Sequence, residues 1–468
     1  MHMLVQFVFH EEMGNMSRQR IGLIAVASIY EAGVDETEGW LDTAAAQLGR
    51  KGLEVLAIKP VLTDQSNVEP AVEQLRKEHV DLLVILNGTW TADSLQINII
   101  KEICRPTLLW ALPYPKTFSL ASVQHLGSVL RELGVGFDYV YGSPDDGHVI
   151  DRICKTAEIS QLASLWGHAR IGRVGRRSTW RTMGPADITY DELDLELSPG
   201  PIAVHIDMDE LFSLVGKVPD SKARELMDSM KKNNKVGVLE GNEKALVEVS
   251  KVYFAVKDLI GKYQLDAITI ECYPKYPGID SVASAWLAEE GIVCVCEGDL
   301  GHTMLWVILQ RLSNKPVGLL EPVMLESDDT LILRHEGSGA PSLSESISEV
   351  TLKSVADDRG VIIFSAVKPG TVTLATVWGK GKSYKMSILK GDAIRLSKAD
   401  IQNYGGGLVA KVKFGAPARH IVDRMIRLGV DHHLMLALGD LTGELTEFCR
   451  ITGIQPMRPD LTECNESR

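Results

Sequence analysis

The chain has 468 residues, 45% hydrophobic and 24% charged, which is ordinary globular composition and more sequence than one core usually holds. A net charge of −13 argues against nucleic acid as the main partner. No apolar run reaches the roughly 20 residues of a membrane helix, no secretory signal fits before Glu11-Glu12, and the seven scattered cysteines suit a reducing compartment. A cytoplasmic protein is expected.

A buried strand is expected at 21–27, where the apolar run IGLIAVA is continuous. Helices at 36–52, 68–79 and 92–104 alternate with strands at 53–58, 80–86 and 107–112. This rhythm predicts a parallel sheet with helices on both faces, a doubly wound domain over residues 17–165. The first strand lacks a G-x-G-x-x-G sequence after it, which argues against a dinucleotide site. Trp90 follows the third strand beside Gly88, at the edge where such sheets bind ligands. It reads equally as a wall for a sugar ring or as a partly buried surface aromatic.

A helix at 148–165 leads to a strand at 169–174 and an arginine-rich turn, which begin a second α/β domain spanning 166–315. A strand is expected at 203–206, with helices at 209–215, 221–234 and 240–262 after it. Residues 265–270 form an apolar run ending in Glu271. A Pro/Gly loop, a helix at 281–290 and a second apolar run at 292–296 follow, the last ending in Glu297-Gly298-Asp299. A strand–helix–strand crossover makes the two strands parallel and, most simply, adjacent. Glu271 and Asp299 then share the carboxyl edge of one sheet, where strands lie about 4.8 Å apart. Two carboxylates that close need a cation or a proton between them. Asp299 is equally placed to cap a helix beginning at Leu300. Cys294 and Cys296, two apart on a strand, read as buried core thiols.

After Pro316 the pattern shortens into Val- and Thr-rich segments with turn residues, so residues 316–468 are expected to form a β-rich, antiparallel, barrel-like domain. Gly379–Ser383 resembles the end of a phosphate loop, but position 376 is Thr and the flanks read as a hairpin. A helix at 416–429, the pair His432-His433 opening an apolar strand, and a helix at 442–452 complete the chain. Only one of two adjacent histidines can face a given side of a strand.

The acids and this tail resemble the family of L-fucose and L-arabinose isomerases, most clearly from the second domain onward. In that group a strand-end Glu, an Asp in an E-x-D segment and a C-terminal His bind one divalent ion, usually manganese. The resemblance places Glu271, Asp299 and His433 as metal ligands, with Glu271 and Asp299 also as the catalytic pair. Gly439, six positions after His433, fits the fucose isomerase pattern, whereas His432 stands where fucose isomerase has Asn. Segments 334–337 and 370–374 are also similar to the family's β-domain. The resemblance implies aldose–ketose isomerisation through a cis-enediol. It also implies a homo-oligomer, trimer or hexamer, in which Trp90 reaches a neighbouring subunit's site.

Substrate contacts are expected from Trp90, His432, Arg176 and Arg177. The arginines crowd the turn after the strand at 169–174. They fit either an anionic, sulfonated sugar or a solvated face paired with nearby acids. A non-catalytic sugar-binding protein, an epimerase and a metal-dependent aldolase remain as alternatives.

Overall fold

A computed structural model describes residues 18–175, 192–197, 200–232, 236–273, 275–337, 339–354, 360–381 and 383–461. Its contacts divide the chain into two compact units, one running to Ser164 and taking in Arg450–Gly453, the other holding the rest.

The first unit carries strands β1 (Arg20–Val26), β2 (Glu54–Ala57), β3 (Leu82–Asn87), β4 (Thr107–Ala111) and β5 (Asp138–Tyr141). They form one parallel sheet in the order β2-β1-β3-β4-β5. Alternate residues of β1 feed two cores, Ile24 and Val26 on one face, Ile21, Leu23 and Ala25 on the other. That explains an unbroken apolar run in place of an alternating one. The helix Ser119–Glu132 and strand β5 go beyond the sequence reading. In β5 only Val140 is buried, while Tyr139 and Tyr141 stand out from the sheet edge, so the segment carries little apolar signal.

The second unit opens with β6 (Arg170–Val174), β7 (Ile202–Ile206), β8 (Val238–Leu239), β9 (Ala267–Ile270) and β10 (Val293–Cys296). Strands β10-β9-β6-β7 make a second parallel sheet. The expected crossover is present: β9 and β10 are parallel neighbours joined through the helix Ser281–Glu289. Trp286 on that helix and Trp306 on the helix Leu300–Ser313 are fully buried.

The remaining strands are β11 (Gly318–Leu325), β12 (Leu331–His335), β13 (Thr351–Ser354), β14 (Val361–Ala366), β15 (Gly370–Trp378), β16 (Lys385–Ile394), β17 (Leu408–Phe414), β18 (Leu434–Leu438) and β19 (Gln455–Met457). The order β16-β15-β18-β11-β12-β17 closes through a β16–β17 pairing into a six-stranded antiparallel barrel. Closure removes free edges from these strands. Strands β15 and β16 form a hairpin, so the glycines at 379 and 381 serve a turn. Among the described residues no helix is long and apolar enough to cross a membrane.

The turn before β17 shows the packing at its tightest. Gly405, Gly406 and Gly407 all have positive φ, and a Cβ on Gly406 would lie 1.9 Å from a Phe364 ring carbon. Gly406→Ala should therefore cost roughly 2–4 kcal/mol in denaturant unfolding, combining backbone strain with overpacking. Gly429→Ala, at a helix C-terminus with open space around the added methyl, should cost only about 1 kcal/mol. Equal costs at the two positions would contradict this packing.

Candidate metal centre

Strand register brings the donors together. Cys296 pairs with Ile270 across β10 and β9, so the next residues, Glu297 and Glu271, leave the same sheet edge opposite each other. Glu297 takes a left-handed backbone, φ 72°, followed by Gly298 at φ 70°. Such a conformation is strained for a side-chain-bearing residue and is characteristic of functional sites. The chain then turns into the helix Leu300–Ser313, which Asp299 caps by accepting a hydrogen bond from His302 N at 3.0 Å.

The barrel supplies the other side. Leu320 pairs with Leu434 across β11 and β18, so the same antiparallel register sets Glu321 beside His433. On its other flank Glu321 pairs with Arg334 of β12, next to His335. Pro322 follows, the ladder shifts there, and β11 changes from buried to exposed residues. Ligand atoms of Glu297, Glu321, His335 and His433 lie within 4.8 Å of one another, and His433 is completely buried. A cavity of about 340 Å³ opens beside them, lined in part by Glu297, Glu321, Arg334 and His335.

The ring nitrogens take distinct roles. His433 Nδ1 lies 2.6 Å from Asp299 Oδ2, and Asp299 is itself fully buried. With Nδ1 held by Asp299, the other ring nitrogen, Nε2, faces Glu297 Oε2, 3.1 Å away, and Glu321 Oε1, 3.5 Å away. His433 Nε2 and Glu297 Oε2 are buried, yet neither makes a hydrogen bond. Two orphaned atoms, one nitrogen and one anionic oxygen, aimed at the same point are what a divalent ion would satisfy. His335 is turned the other way. Its Nδ1 accepts from Gly337 N at 2.9 Å, so Nε2 carries the proton and faces Glu297 Oε1 at 3.4 Å. His335 therefore acts as a donor to the Glu297 carboxylate.

Burial disfavours charge on all these groups, but mutual attraction wins. The neighbouring His335 and His433 rings overcome burial and hold Glu297 down to about 2. The nearby His302 and His433 hold Asp299 well below the usual carboxylate range. The carboxylates of Asp299, Glu297 and Glu321 raise the His433 imidazole well above its ordinary value. Asp431, also buried, accepts from His433 N at 3.0 Å and lies 3.0 Å from His432 Nδ1, pinning the turn that aims both rings. His302 Nδ1 sits 2.6 Å from Asp299 Oδ2, and its Nε2 meets Thr376 Oγ1 at 2.7 Å.

Of the ligands expected from sequence, the structure brings Asp299 and His433 into contact. Glu271 stands at the end of β9, partly exposed, against Gly175. His432 is half-exposed and 3.4 Å from Glu321. Trp90 is in the other unit, 39% exposed and stacked on His125 with ring centroids 5.4 Å apart. Arg176 and Arg177 lie outside the described residues. Sequence reasoning passed over Glu321 and did not assign Glu297 or His335 a role. An acid interrupting the apolar run Gly318–Leu325, just before a proline, was the available signal for Glu321.

No family model matches the chain. It is 21% identical over 416 residues to sulfoquinovose isomerases of Priestia aryabhattai and Priestia megaterium, a match that covers 86% of this chain and 90% of each relative.

The charge pattern predicts how pH acts on the metal-free protein. Glu297, lowered from 4.5 to about 2, adds stability that is complete above 4.5 and lost as pH falls toward 2. His433, raised above 6.5, adds stability that is complete below 6.5 and lost as pH rises through its elevated value. Chelator-treated protein should therefore show both slopes in pH-dependent unfolding, and Glu297→Gln should flatten the acid one. An unchanged acid slope in that variant would contradict the assignment.

Proposed function

We propose that this protein is a divalent-metal-dependent aldose–ketose isomerase, with manganese as its ion and a sulfonated hexose of the sulfoquinovose class as its substrate. The observation that carries the reading is the orphaned pair Glu297 Oε2 and His433 Nε2, buried and 3.1 Å apart beside a cavity of about 340 Å³. Similarity to sulfoquinovose isomerases along nearly the whole chain supports the substrate class.

Glu297, Glu321 and His433 would hold the ion, an N/O set suited to manganese. When bound, it would polarise the two adjacent substrate oxygens as charge develops on them. Asp299 keeps His433 in the tautomer whose Nε2 is free, and His335 orients Glu297. Isomerisation moves one proton between C1 and C2, which calls for a carboxylate base within reach of both carbons. Glu271, opposite Glu297 at the sheet edge, is the residue we assign to that step, and a place for it among the ligands is compatible with the same edge. His432, half-exposed next to Glu321, would face the sugar hydroxyls. Trp90 would complete a neighbouring subunit's site in a homo-oligomer.

Arg334 supplies an anion contact. It lines the cavity, its Nε is buried without a hydrogen bond, and its Nη2 pairs with Glu336. A sulfonate offers oxygens in the geometry a guanidinium binds bidentately. Arg176 and Arg177, which follow β6, remain assigned to the same anion.

Two outcomes test the reading. Manganese-loaded protein should convert 6-sulfoglucose to its ketose, chelator should stop it, and Glu297→Gln or His433→Ala should lower kcat/KM by about a thousandfold or more. No ketose from any aldose at saturating manganese would refute it. Arg334→Gln should raise KM for the sulfonated sugar about 10–100-fold with much less effect on a neutral aldose. An equal loss for both sugars would remove Arg334 from anion recognition.

A further inference from the structure

The same cavity is also lined by a cluster of different chemistry. Cys272 follows β9, Cys296 ends β10, and Asp280 immediately precedes the helix Ser281–Glu289 without capping it through its side chain. All three line the cavity, and their sulfur and carboxylate atoms lie within 4.8 Å of one another. Asp280 is fully buried, and neither of its oxygens makes a hydrogen bond. Burial raises its carboxyl to about 7, the response of an acid with nothing positive beside it. The sulfur of Cys296 fills its space tightly: a Cβ on Gly337 would come within 2.1 Å of it. Neither thiol is in a disulfide.

We propose that Cys272, Cys296 and Asp280 form a second metal site, selective for a soft or borderline ion such as zinc or cadmium. Two thiolates and one carboxylate are a donor set such ions prefer, whereas manganese prefers the oxygen-rich set of Glu297 and Glu321. Zinc–sulfur and zinc–oxygen bonds of about 2.3 and 2.1 Å put neighbouring tetrahedral ligands some 3.5–3.8 Å apart, so small side-chain shifts close the cluster on an ion. Each thiol loses its proton to solvent as its sulfur–metal bond forms, and the ionised Asp280 completes a site that keeps a position open toward the cavity. The two sites are coupled through His335, whose Nδ1 is 3.7 Å from Cys296 Sγ while its Nε2 faces Glu297. A thiophilic ion at the second site thus disturbs the first, and the cluster acts as a trap through which zinc or cadmium inhibits the enzyme.

The proposal stands on the thiol cluster and is tested apart from catalysis. Reduced, metal-free protein is saturated with manganese and titrated with cadmium, with sulfur-to-cadmium charge-transfer absorption as readout. One saturable cadmium per chain is expected. Its band should vanish in Cys272→Ser and in Cys296→Ser, persist in Cys104→Ser and His433→Ala, and need at least tenfold more cadmium in Asp280→Asn. X-ray absorption of the cadmium-loaded wild-type protein covers the case in which a serine variant misfolds, and two sulfur ligands are expected. No band in the wild type, a band that survives both serine substitutions, or a shell of oxygen and nitrogen only would overturn the proposal.

Discussion

The hydrogen bond between Asp299 and His433 is the interaction on which the site depends. At 2.6 Å and full burial, it ties the end of the second parallel sheet to the start of β18 in the barrel. An isolated buried carboxylate would take up a proton, and an isolated buried imidazole would stay neutral. Together each stabilises the other's charge, and the surrounding donors are spaced so that no proton satisfies all of them. His433 Nε2 and Glu297 Oε2 remain without hydrogen bonds. Leaving such atoms unpaired in a buried site is costly unless something other than the protein completes them.

The position of each donor follows from β-geometry more than from the donors themselves. In the parallel sheet, adjacent strand ends set Glu271 against Glu297. In the barrel, β11 runs between β18 and β12, so one residue, Glu321, touches the surroundings of both His433 and Arg334. A one-residue slip in either register would turn these side chains to the opposite face. The closed barrel prevents such slips, because every one of its strands is fixed on both sides.

Much of this was legible in the sequence. The parallel sheets were readable because continuous apolar runs alternate with helical patterns, and the barrel because that rhythm stops after Pro316. The adjacency of β9 and β10 followed from crossover geometry, and with it the idea of facing carboxylates. Asp299 illustrates why two readings of one residue need not compete: it caps a helix through Oδ1 and holds His433 through Oδ2. Which acid faces Glu271 was not readable, because it depends on a left-handed turn at Glu297 that has no pattern in sequence. Glu321 and His335 escaped for a related reason. They join the site by pairing across strands far apart in the chain, and β11 looks like any other barrel strand until its register is known. The strand β5 escaped because it buries a single residue of its own.

The central claim is that one divalent ion sits between Glu297 and His433. Anomalous X-ray scattering from manganese-soaked crystals, measured on both sides of the manganese absorption edge, tests it most directly. The account predicts one strong peak within bonding distance of Glu297 and His433 Nε2, with Asp299 still on His433 Nδ1. A peak that contacts neither residue, or none at saturating manganese, would contradict it.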